Sequence, residues 1–119
     1  MTKLTTSLSI YSLLLDIEMK VEAIRTEMFK DEVLVNLIFR VCKPVKANPF
    51  DLQGQSRIGI VPDLRAIFAW NARKMGFTLK AIGVFLDKDH SSVIDMCRRY
   101  EEKMEYDSKF QELVRTIFP

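Results

Sequence analysis

Apolar residues recur at spacings of three and four along most of this chain, and nowhere do they alternate with polar ones over a sustained run. A helix buries one stripe at a period near 3.6 residues, whereas a half-buried strand needs a period of two. The punctuation agrees. Four glycines and four prolines are spread over 119 residues, too few for a sandwich that turns about every 8–12 residues. The pattern predicts an all-α fold: one multi-helix domain with room for an accessory helix.

Six helices are expected. Residues 7–30 carry Ile10, Leu14, Ile17, Val21, Ile24 and Met28 on one stripe, with Thr6 or Ser7 as the cap. This N-terminal amphipathic helix (residues 1–31) fits either core packing or a seam with a second copy or a protein partner. Asp31 is a candidate cap for a second helix, whose face of Leu34, Leu37, Ile38 and Val41 runs until Pro44. Residues 43–61 read as an ordered loop with a short turn at Phe50–Leu52. Pro62 and Asp63 open a third helix burying Leu64, Ile67, Phe68, Asn71 or Ala72, and Met75. Trp70 falls off that stripe, so it either covers the N-terminal helix or is partly exposed. Gly76 ends the helix.

Thr78 then caps a short helix with Leu79, Ile82, Phe85 and Leu86 inward, and Asp87-Lys88-Asp89 makes a tight connection. A longer helix follows, from about His90 to Lys103, burying Val93, Met96, Cys97, Tyr100 and Met104. Asp107 or Ser108 caps the last, with Phe110, Leu113, Val114 and Ile117 on its stripe. Residues 32–119 are expected to form the main domain.

Several function classes drop out. No 18-residue run lacks charge, which argues against a membrane span. The apolar stretch Leu8–Leu15 is followed by Asp16, Glu18 and Lys20 rather than a cleavage site, so a secretory signal is not expected. Two cysteines without CxxC spacing and a single histidine cannot supply a zinc site, and no cofactor is expected. Lone thiols without a signal peptide point to the cytoplasm. His90 with Asp89 or Asp95 lacks a nucleophile at a spacing that implies catalysis, so an enzyme is not expected.

The net charge of +2 says little, but its distribution is uneven. Residues 57–99 hold eight Lys/Arg against four Asp, while residues 1–56 balance seven against seven and residues 100–119 lean acidic. A localised basic excess is the electrostatic footprint of a nucleic-acid binder. The same stretch has the order of a helix–turn–helix: a short helix, a tight turn and a longer helix. Rotation by about 100° per residue turns Ser91, Asp95, Arg98 and Glu102 outward, with Ser92 and Arg99 on a flank. Short polar side chains at the front of an exposed helix can reach base edges in a major groove.

The residue strings Arg65-Ala66-Ile67-Phe68-Ala69-Trp70-Asn71-Ala72-Arg73-Lys74, Thr78-Leu79-Lys80-Ala81-Ile82-Gly83 and Lys88-Asp89-His90-Ser91-Ser92-Val93 resemble the C-terminal DNA-binding domain (domain IV) of DnaA, the bacterial chromosomal replication initiator. The likeness covers about residues 32–118. It implies a Trp-repressor/DnaA-like helix–turn–helix and sequence-specific binding of double-stranded DNA in replication initiation or its control. It also implies base contacts from Asp89, His90, Ser91 and Ser92, a minor-groove contact from Arg57, and phosphate contacts from Arg65, Arg73 and Lys80. Lys88, Arg98 and Arg99 are candidates for additional DNA contacts.

The chain also departs from that pattern. Ile58 and Gly59 replace positions often basic in the family, Asp87 stands where glycine is frequent, and Asp95 adds an outward carboxylate. No GxxxxGK[ST] run is present, so the likeness is to a DNA-binding domain without the initiator's ATPase module, and ATP-driven origin melting is not implied. Two other readings fit the residues: a transcription regulator using the same helix pair, and a helical interaction module that has lost DNA binding.

Overall fold

A computed structural model describes residues 13–14, 17–18 and 31–119, and the chain divides into two units, Met1–Val33 and Leu34–Pro119. In the first unit Leu13, Leu14, Ile17 and Glu18 are helical and exposed. The expected cap and the remainder of that stripe, Ile10, Val21, Ile24 and Met28, lie outside the described residues.

All regular structure among the described residues is helical. Helix α1 covers residues 31–42, so Asp31 lies within a helix and does not cap one. Pro44 cannot continue the α-helix, and a 3-10 turn, Lys43–Val45, takes over. Helix α2 (Pro49–Gln53) starts at Asn48, whose side chain accepts the Phe50 N–H at 3.0 Å. Helix α3 (Val61–Lys74) has Pro62 and Asp63 in its first turn. It closes where Gly76 takes φ 100°, with the Gly76 N–H donating to Arg73 and the Phe77 N–H to Ala72. That pairing satisfies the last carbonyls, as in a Schellman motif. Met75 therefore leaves the buried stripe expected for it and is 54% exposed.

Helix α4 (Leu79–Leu86) begins at Thr78, whose hydroxyl accepts the Ala81 N–H at 3.1 Å. Helix α5 (His90–Tyr106) begins at Asp89 and outruns the expected end at Lys103. Asp107, not Ser108, caps α6 (Ser108–Ile117) by accepting the Phe110 N–H at 3.1 Å.

The core of the second unit forms around α3. Leu64, Ala66, Ile67, Phe68, Ala69 and Ala72 are fully buried, so this helix is wrapped on most of its circumference. The alanines let neighbours approach closely, and α5 packs most extensively against it. Asn71 stays partly exposed, its amide donating to the Ile67 carbonyl. Aromatic contacts join the helices: Phe68 stacks on Phe85 of α4 with centroids 5.5 Å apart. Trp70 stacks on Tyr100 of α5 at 4.3 Å, and Tyr100 meets Phe110 of α6 edge-on. Trp70 is thus half-buried against α5, and each such pair contributes about 1 kcal/mol beyond burial. Leu34, Leu37, Ile38, Val41 and Cys42 of α1 join the same core, where burial pushes the Cys42 thiol up to about 11.

Candidate functional site

Helices α4 and α5 are joined by Asp87-Lys88-Asp89, and the packing of that turn explains its sequence. Asp87 takes φ 56° and ψ 46°, the left-handed region that favours glycine but tolerates Asp. The Lys88 N–H then folds back to the Gly83 carbonyl at 2.8 Å. A Cβ at Gly83 would lie 2.5 Å from the Lys88 carbonyl oxygen, so only glycine permits this approach. The Ile82-Gly83 pair read from the sequence thus has a physical basis: Ile82 fills the core and Gly83 admits the turn.

Asp89 opens α5 as its cap. Its Oδ1 accepts the Ser92 N–H and the Ser91 hydroxyl, both at 2.8 Å. Those two donors, the backbone one foremost, hold the carboxyl below its ordinary range. His90 and Ser91 are exposed in the first turn and Ser92 is half-buried. Further along, Asp95, Arg98 and Glu102 face solvent as their rotation requires, while Val93 and Tyr100 are buried.

The segment after α2 is tied to this helix pair by side chains clamping backbone carbonyls. Arg65 is the centre of the clamp. Only 6% exposed, it donates Nε to the Leu52 carbonyl and one terminal nitrogen to the carbonyls of Asp51 and Gly54, at 2.8–2.9 Å. These bonds take up carbonyls at the end of α2 that have no helical partner. Lys88 donates to the same Gly54 carbonyl at 2.5 Å, and the Gln53 amide reaches the Phe85 carbonyl at 2.9 Å. Arg65, for which the likeness implies a phosphate contact, thus has its Nε and one terminal nitrogen bonded to carbonyls at the end of α2.

Arg57, exposed in the segment that follows, is brought to the flank of α5. An open groove of about 410 Å³ is lined by Arg57, Arg65, Lys88 and Arg99, with Ser92 and the carboxylate of Asp95 on the α5 wall. The cations feel one another. Burial lowers the Lys88 ammonium first and the neighbouring Arg65 next; Asp87 opposes them, and Arg57 adds the smallest lowering. Burial and then Arg57 act the same way on Arg65. Such a cluster attracts anions.

Not every cation is equally free. Arg99 bonds Asp63 through Nε and a terminal nitrogen at 3.0–3.1 Å, and Lys103 reaches the same oxygen at 2.9 Å. Arg98 lies 3.8 Å from Asp95, an exposed pair that partly offsets that carboxylate. Arg73 and Lys80 are exposed on either side of the α3–α4 turn, Arg73 donating to the Phe77 carbonyl at 3.0 Å.

The clamp role of Gln53 and Arg65, the ion pairing of Asp63, and the groove positions of Gln55, Pro62 and Met96 were not anticipated from the sequence. Each acts across a large sequence separation, 32 residues from Gln53 to Phe85 and 36 from Asp63 to Arg99, which no local pattern signals. Among the described residues no group of three His, Cys, Asp or Glu could hold a metal, and no helix is long and apolar enough to cross a membrane. Compared with models of known protein families and with curated proteins, the chain matches neither a family nor an individual protein.

Proposed function

We propose that residues 32–119 bind double-stranded DNA in a sequence-specific manner, with α4, the turn 87–89 and α5 acting as a helix–turn–helix. In this reading α5 enters the major groove and His90, Ser91 and Ser92 address base edges. Asp89 serves chiefly as the cap that orients them. Arg57 reaches the adjacent minor groove, and Arg73 and Lys80 hold phosphates. The observation that carries the reading is the exposed polar start of α5 standing beside a groove that holds the exposed Arg57 and the half-buried Lys88. A role in replication initiation or its control rests on the likeness to the DnaA DNA-binding domain in Lys88-Asp89-His90-Ser91-Ser92-Val93, and a cytoplasmic location on the lone thiols Cys42 and Cys97.

Mobility-shift titrations on a DnaA-box duplex and on random duplexes test this directly. With Arg57, Arg73 and Lys80 as the displacing cations, the log–log salt slope should be about −3. His90→Ala should lose about 1–3 kcal/mol on the preferred sequence and much less on random DNA. Arg73→Ala should weaken both alike and flatten the slope by about one. A slope near zero, or a His90→Ala protein with an intact specificity ratio and a lowered unfolding temperature, would refute the assignment.

A further inference from the structure

The segment that carries Arg57 has an apolar tip. Ile58 is 82% exposed and Ile60 42%, with Gly59 between them at φ 58°. A solitary exposed isoleucine is ordinary on a protein surface. This one is different in how it is held. The segment's base is fixed where Arg65 and Lys88 both grip the Gly54 carbonyl. Its tip is closed by the Val61 N–H donating to the Ile58 carbonyl at 3.2 Å, while the Ile58 N–H faces the Ser56 hydroxyl at 3.5 Å. Ile58 is thus carried on a turn whose base is tied down, and nothing in the second unit covers its side chain. An apolar group presented in a fixed position loses little conformational freedom when a ligand buries it.

Its neighbour indicates the ligand. Arg57 lines the cationic groove whose far wall is the first turns of α5. If α5 occupies a major groove, this segment faces the adjacent minor groove, as appended arms of other helix–turn–helix proteins do. That groove attracts arginine through its negative potential. Proteins that bind there also insert isoleucine, leucine or phenylalanine between base steps, unstacking and kinking the duplex. We infer that Arg57 and Ile58 act together as a cationic and apolar wedge that enters the minor groove and bends the DNA. The inference rests on the DNA-binding reading above and adds to it a bend and a residue that produces it.

The test uses the full chain and duplexes it retains from a random pool, with bending read by circular permutation and by energy transfer between end labels. The unaltered protein should bend these duplexes. Ile58→Ser should bind about tenfold more weakly, as expected for losing the burial of one aliphatic side chain. Its salt slope should be unchanged, because no charge is removed. The bend should be largely lost and the unfolding temperature retained. Ile58→Lys should recover affinity through an added counterion, steepening the slope by about one without restoring the bend. An Ile58→Ser protein that binds and bends as before would overturn the wedge and leave DNA binding standing. Unbent DNA in the unaltered complex would do the same, as would a bend restored by lysine. If the unaltered protein retains no duplex, both proposals fall together.

Discussion

Gly83→Ala is the sharpest test of the helix pair, because two opposing effects of known size meet at one atom. In the interior of α4, alanine should stabilise the helix by about 0.5–1 kcal/mol relative to glycine. The added Cβ would stand 2.5 Å from the Lys88 carbonyl oxygen and 3.5 Å from the Asp89 carbonyl carbon. Those atoms are backbone, and they cannot swing aside as a flexible side chain would. The Lys88 N–H is bonded to the Gly83 carbonyl, and Asp89 is fixed as the cap of α5. Overpacking against fixed neighbours costs about 1–3 kcal/mol, so a net loss of about 1–2 kcal/mol is expected. For a domain of this size, at about 4–8 °C per kcal/mol, that corresponds to a drop of about 4–16 °C in unfolding temperature. Urea unfolding followed by circular dichroism should show a lower midpoint with an unchanged slope. An alanine variant as stable as the parent, or more so, would show that α4 and the turn do not approach as described.

Arg65→Ala should destabilise the protein by about 3 kcal/mol, since carbonyls of α2 lose a charged donor in a partly buried place; calorimetry of this variant against Arg73→Ala, expected to be near neutral, separates fold from surface. Asp89 and Asp107 are both held below their ordinary value of 3.8, chiefly by the backbone N–H groups they cap. Their contribution is therefore present at neutral pH and is lost as pH falls below about 4 toward the lowered values. Urea midpoints between pH 7 and pH 3 should drop less for the double variant Asp89→Asn, Asp107→Asn than for the parent, and equal drops would contradict the capping role.

Local rules carried the reading of the sequence furthest where one residue acts on its own helix. Thr78, Asp89 and Asp107 cap the helices expected to follow them, because a short oxygen-bearing side chain reaches the N–H three residues on. Asp31 shows the limit of that rule: the residue type is right, yet the helix already covers its position. Met75 shows another, since the stripe reaches it but the chain reverses at Gly76 before it can be buried.

What the sequence determined by itself was the all-helical class, the stripes that face the core of residues 34–119, and the order of short helix, turn and long helix over residues 78–106. These follow from periodicity and capping, which act within one or two turns of chain. Tertiary structure decided which charges are free. Arg65 and Arg57 look alike in the sequence, but one lies over unpaired carbonyls of α2 and is buried, while the other is left in solvent beside α5. Arg99 is drawn instead to the Asp63 carboxylate, 36 residues away in the chain. A cation is held wherever folding leaves an acceptor that cannot reach water or a helical partner, and that is settled only when segments distant in the chain meet.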